Sequence, residues 1–196
     1  DLHGGTAPRK VLVLGAGTGN DVVMALENGA AQVVAVEIDP VILGLGRELN
    51  PARPYQHPGV RTVVDDARHF LRTTRERFDL VIFGTLDSQA LLSGHANLRL
   101  DNYVYTREAL RSAREVLAPR GMVVIHYSVF RDWLYARIYS TARAAFGDQC
   151  VLLMEQTPHL FNTTILAGRD LPQLRDTPEV VARYGHGLVA SDDWPF

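Results

Sequence analysis

The sequence predicts an α/β fold: a doubly wound, mostly parallel sheet of seven strands whose last two form an antiparallel pair. Three observations carry this expectation. Short apolar runs at 11–14, 32–37, 60–64, 78–83 and 122–126 suit strands buried on both faces. Segments of helical spacing separate them, as crossovers between parallel strands require. Two more apolar runs, 150–154 and 162–167, follow one another without a helix between them, which suits antiparallel strands at a sheet edge.

In order along the chain, residues 1–9 read as a polar lead-in. The first strand runs directly into Gly15, Gly17 and Gly19, a tight turn that lets a ligand approach the backbone closely. Residues 21–28 continue as a short helix capped by Asn20 or Asp21, its start presenting free N–H groups. The second strand ends on Glu37, a carboxylate able to accept two hydrogen bonds from a ribose diol. Pro40 suits the first position of a helix over 41–49, and the three prolines within 50–58 mark a loop. The third strand runs into Asp65, Asp66 and Ala67, followed by a short helix over 68–75. Beyond the fourth strand, residues 84–102 form a long polar connection, a length that in compact domains points to function or mobility. Thr106 caps an amphipathic helix over 106–117, and Pro119, Arg120 and Gly121 turn the chain into the fifth strand. Residues 132–146 form a further helix closed by Gly147. Residues 10–170 thus read as one nucleoside-binding domain, and 171–196 as a Pro-containing tail with no assigned packing.

Totals narrow the function. The 196 residues fit one domain with a sizeable core, and a net charge of −2 gives no general attraction to nucleic acid or anionic membrane. Lys10 is the sole lysine among 20 basic residues, a bias of composition and not a phosphate-binding surface. The single cysteine, Cys150, suits a reducing compartment and reads as buried and inert. The seven histidines show no paired metal-ligand spacing, so no metal is expected. No apolar run is long enough to span a membrane.

The glycine turn, Glu37-Ile38-Asp39-Pro40, Asp66-Ala67 after the third strand, the fourth strand 78–83, Tyr105-Thr106-Arg107-Glu108 and residues 117–121 together resemble the spermidine synthase family, polyamine aminopropyltransferases within the Rossmann-like class I S-adenosylmethionine-dependent methyltransferase fold. The resemblance covers roughly residues 10–170. It implies a donor, S-adenosylmethionine or decarboxylated S-adenosylmethionine, with methylthioadenosine as a further ligand, and a small-molecule amine or polyamine acceptor. It also implies roles. Gly15, Gly17, Thr18, Gly19 and Asn20 pass close to the methionine-derived part of the donor, and Glu37 holds the ribose. Ile38 packs on the adenine, Asp66 accepts from its amino group beside Ala67, and Thr85 lies in the same site. Homodimers are frequent in the family.

The departures matter as much. Where family members carry Asp-Ser-Ser-Asp after the fourth strand, this chain has Gly84-Thr85-Leu86-Asp87. Glycine has no side chain with which to act as a base, which leaves Asp87 as the catalytic acid expected from sequence. Thr18 stands in place of the family's acid in the glycine turn. Both changes leave a methyltransferase, or a catalytically inactive nucleoside-binding regulatory domain, as alternative readings. A dinucleotide turn remains a competitor for the glycines. Asp66 has a capping role as its alternative, Asp87 that of an ordinary loop acid, and His126 reads as a satisfied strand-end histidine. The ending Ser191-Asp192-Asp193-Trp194-Pro195-Phe196 resembles the domain boundary of membrane-anchored bacterial relatives. That implies membrane-embedded segments in a full-length chain, with this domain on the cytoplasmic side.

Overall fold

A computed structural model describes residues 7–84, 100–129, 132–156, 161–171 and 173–195. Its sheet has seven strands in the order β3-β2-β1-β4-β5-β7-β6. These are β1 (Lys10–Leu14), β2 (Gln32–Glu37), β3 (Val60–Val64), β4 (Phe78–Phe83), β5 (Leu117–Val129), β6 (Cys150–Gln156) and β7 (Phe161–Gly168). The first five pair in parallel, while β7 runs antiparallel to both β5 and β6. The expected doubly wound sheet with an antiparallel late pair is what forms.

The crossovers are α1 (Asn20–Glu27), α2 (Pro40–Leu49), α3 (Ala67–Thr73), α4 (Arg107–Glu115) and α5 (Asp132–Phe146), with α6 (Pro178–Tyr184) in the last stretch. Helices cover both faces of the sheet. On one, Val11 and Val13 of β1 pack with Val22 and Ala25 of α1 and Leu43 of α2. On the other, Leu12 and Leu14 join Phe70, Leu110, Tyr139 and Phe83. This alternation along one strand is the period-two geometry of a sheet buried on both sides.

Start signals read from sequence hold at two helices. Pro40 takes the first position of α2 as expected, behind Asp39, a cap not named from sequence, which accepts from Val41 N at 2.8 Å, and Thr106 caps α4 by accepting from Ala109 N at 3.2 Å. At α1 the expectation fails. Neither Asn20 nor Asp21 is the cap; Gly19 occupies that position at φ 97° with no capping side chain. The glycine turn leaves its last residue left-handed, so the chain enters α1 without an Asx-type cap.

Residues 119–121 do not turn into a separate strand either. Leu117 already pairs with Phe78, and the register then jumps to Leu80–Met122, so the segment is a bulge inside one longer strand. Gly121 permits this, since a Cβ there would stand 2.8 Å from Phe78 O.

The stretch after β7 packs onto the sheet and helices. Leu171 and Leu174 are buried against Met122, and Ala190 N donates to Thr141 Oγ1 at 3.0 Å. Arg68 fastens this stretch to α3: its guanidinium donates to both oxygens of Asp192 at 2.8 Å, while Thr106 Oγ1 donates to Asp192 Oδ1 at 2.6 Å. Cys150 is fully buried, and burial pushes its thiol up to about 12. Among the described residues no helix is long and apolar enough to cross a membrane.

Candidate functional site

Strand order reverses direction between β1 and β4, and the carboxyl ends of these strands meet where Gly84 N donates to Leu14 O at 2.9 Å. In open α/β sheets such a switch point is where ligands bind. The glycine turn sits directly above it. Gly15 and Ala16 are tied to β2, both donating to Val36 O at 2.9 and 3.0 Å. Gly17 and Gly19 adopt φ values of 56° and 97°, a region costly for residues with a Cβ. A Cβ on Gly19 would also lie 2.6 Å from Pro54 Cγ, so conformation and space both require glycine.

Glu37 joins the turn to the end of β2. Its side chain is only 7% exposed; Oε2 accepts from Gly17 N at 2.8 Å and Oε1 from Asp39 N at 2.9 Å. A carboxylate offers about four lone-pair sites, so two remain for donors from a ligand. Next to it Ile38 is 56% exposed, an apolar side chain lying open beside a buried acid. Thr18 and Asn20 are exposed on the turn, and Asn50 Nδ2 holds the turn from α2 by donating to Thr18 O at 2.9 Å.

Across β2, Asp66 caps α3, its Oδ1 accepting from His69 N at 2.9 Å, with Ala67 buried behind it. The capping role weighed for Asp66 is therefore present; it engages one carboxylate oxygen. Thr85 and Asp87 lie outside the described residues. Among the expected site residues, the structure brings the glycine turn, Glu37 and Ile38 together at the carboxyl ends of β1 and β2, with Asp66 and Ala67 at the adjoining end of β3.

Three residues here have no part in the site as read from sequence, where Asp21 is a candidate helix cap, His126 a satisfied strand-end histidine and Tyr55 unassigned. Tyr55, in a short 3-10 turn at Pro54–Gln56, places its hydroxyl 3.0 Å from Ala16 O and 2.8 Å from Gly17 O, bracing the turn from below. Burial, reinforced by the Glu37 carboxylate, pushes that hydroxyl well above the usual phenol range. The Pro-rich segment around Tyr55 gave no local signal of such a contact. Asp21 projects from the first turn of α1 toward Gly84, its Oδ2 3.0 Å from where a Cβ on Gly84 would stand. Burial raises its carboxyl above the ordinary value, and His126 pulls it back. His126 itself, one residue beyond the Phe83–Ile125 pair, places Nδ1 3.1 Å from Thr164 Oγ1.

A sheet of this order, with a glycine turn and an acid ending β2, defines a Rossmann-like class I methyltransferase-type fold of the spermidine synthase-like kind. The chain belongs to the methyltransferase domain family, whose profile matches residues 11–121. A polyamine aminopropyltransferase of Mycobacterium tuberculosis (strain ATCC 25618 / H37Rv) is 34% identical over 149 residues, covering 70% of this chain and 26% of that protein. The crystal structure of spermidine synthase from Thermotoga maritima superposes with a TM-score of 0.72 at 17% identity, covering 99% of this chain and 65% of that one. Human methyltransferase-like protein 13, solved in complex with SAH, gives a TM-score of 0.67 at 18% identity, covering 90% of this chain and 79% of its own. The chain spans less than half the length of the curated aminopropyltransferases it matches.

Proposed function

We propose that this chain is a spermidine synthase-like transferase domain that binds S-adenosylmethionine, its decarboxylated form or methylthioadenosine above the glycine turn and transfers an aminopropyl group to an amine or polyamine. The observation that carries the reading is Glu37: a buried carboxylate, positioned by two backbone amides, with lone pairs left over beside an exposed Ile38. Those residues fit a nucleoside. Glu37 would accept from the ribose hydroxyls, Ile38 would cover the adenine, and the second oxygen of Asp66 would accept from the adenine amino group beside Ala67. Gly15, Gly17, Thr18, Gly19 and Asn20 would border the methionine-derived part, with Thr85 near it. Asp87 would face the acceptor.

The donor's sulfonium is already a good leaving group. What this chain supplies is alignment of an amine with the carbon beside sulfur, exclusion of water, and a place for one amine proton. A second reading, methyl transfer from intact S-adenosylmethionine, draws on Thr18 in the turn and on Gly84, whose lack of a side chain removes the acid expected after the fourth strand. A domain that binds a nucleoside without turnover, as a regulatory module on a membrane protein, is the third.

Calorimetric titration with S-adenosylmethionine, decarboxylated S-adenosylmethionine, methylthioadenosine and NAD separates these readings. Preference for the decarboxylated donor or methylthioadenosine, followed by turnover with putrescine, is the expected result. Preference for the intact donor moves the assignment to methyl transfer, and binding without turnover of any amine to the regulatory reading. Binding of NAD alone, or silence from all four, overturns the proposal.

A further inference from the structure

Gly84 is buried at the switch point between β1 and β4, and there is little room for a side chain on it: a Cβ would stand 2.7 Å from Gly15 O and 3.1 Å from Leu14 O. The space beside it holds the Asp21 carboxylate, whose Oδ2 would be 3.0 Å from the same Cβ. Asp21 thus brings an acid from α1 to the end of β4, where residue 84 cannot supply one. His126 flanks the same place from β5, one residue past the Phe83–Ile125 register pair, and acts electrostatically on Asp21.

The surroundings argue against a purely structural acid. Asp21 does not cap α1, and its carboxylate has no hydrogen-bond or ion-pair partner among the described residues. An acid retained only for helix stability is expected to bond free N–H groups and to be held below its ordinary range. Here burial pushes the carboxyl the other way, so the fold holds a half-buried acid at a cost to itself. A cationic nitrogen entering the switch point would offset that cost.

We propose that Asp21 is the catalytic carboxylate of an amine subsite: it receives the ammonium of the acceptor beside Gly84 and removes one of its protons. This rests on the transferase reading above and names the residue that does its chemistry. The ammonium gives a proton to the Asp21 carboxylate. The freed nitrogen lone pair forms the new N–C bond to the aminopropyl carbon as the C–S bond breaks. The electron pair of that bond stays on sulfur, converting sulfonium to neutral thioether, and the nitrogen takes up the positive charge. Asp21 returns its proton to water.

The test is Asp21→Asn, with Asp21→Ser as a second uncharged variant should the amide disturb α1. Putrescine and spermidine are titrated into protein saturated with methylthioadenosine, and turnover is measured with the decarboxylated donor. The expected result is methylthioadenosine affinity unchanged within about twofold, amine affinity lowered at least ~10-fold, and kcat lowered ~100-fold or more. The thermal midpoint is expected to hold or rise, where a structural acid would lower it. Unchanged amine affinity and kcat in both variants, or loss on Asp87→Asn alone, overturns the assignment of Asp21 while leaving the transferase reading standing. Failure of the unmodified protein to bind methylthioadenosine or either donor overturns the transferase reading, and this assignment with it.

Discussion

Glu37 holds two backbone amides and is the proposed ribose acceptor, and a single substitution removes both contacts. It accepts from Gly17 N and Asp39 N, one on each oxygen, which leaves a lone pair on each for a ligand. Glu37→Ala leaves both amides without their acceptor and removes the proposed ribose contact. Nucleoside affinity is expected to fall by about 1–3 kcal/mol in calorimetry, with a loss of folding stability of similar size. Glu37→Gln keeps one acceptor oxygen and is expected to lose less of both. Affinity unchanged by Glu37→Ala would remove the ribose assignment. Asp21 makes a prediction of opposite sign. Its carboxyl is raised in the folded protein, with His126 from β5 and Tyr55 from the turn after α2 as the ionisable groups coupled to it. As pH rises through the ordinary carboxylate range the unfolded chain loses a proton that the folded protein still holds, so stability falls. Asp21→Asn is expected to flatten that fall and raise the urea midpoint at neutral pH.

At the scale of elements, the fit between the glycine turn and the segment after α2 sets the entrance to the site. Gly19→Ala forces a Cβ into a left-handed residue and against Pro54 and Tyr55, and is expected to cost about 1–3 kcal/mol in urea unfolding. A wild-type midpoint would mean the turn can shift. On the other side of the sheet, the pairing of Arg68 with Asp192 ties the last stretch of the chain to α3. The hydrogen bond from Arg68 holds the Asp192 carboxyl below its ordinary value, so its contribution is present above the unfolded pKa and is lost as pH falls through the folded one. With that side chain 41% exposed, solvent screening limits Asp192→Asn to a loss of about 1 kcal/mol at neutral pH, vanishing in acid. A loss that persisted in acid would point to packing instead of charge.

Across the whole molecule, residues after β7 complete the core. Leu171 and Leu174 are 0% and 1% exposed against Met122, and Gly187 N and Ala190 N donate to Ser140 and Thr141 of α5. A chain ending at residue 170 loses two buried leucines, each contributing about 1.5–3 kcal/mol. That is a large part of the roughly 5–15 kcal/mol by which domains are stable. Such a chain is expected to unfold at markedly lower temperature, and an unchanged midpoint would show that this stretch rests on the domain without supporting it.

What the sequence by itself determined was the sheet and the glycine turn with its acid. Unbroken apolar runs, their spacing and the absence of a helix between the last two are local patterns, and a strand buried on both faces is written in consecutive residues. Gly15, Gly17, Gly19 and Glu37 were legible because backbone conformation and strand ends impose residue types directly. Tertiary structure decided everything that depends on which loops meet. Tyr55 bracing Ala16 and Gly17, Arg68 clasping Asp192, and Asp21 filling the place beside Gly84 join residues far apart in sequence, and no period or cap announces them. Asp21 is the clearest case. In sequence it is a helix-start acid and reads as a cap, but the left-handed Gly19 takes that position and frees the carboxylate for the switch point. Which strands adjoin there follows from the order in which the sheet assembles, a property of the packed chain and of no single segment.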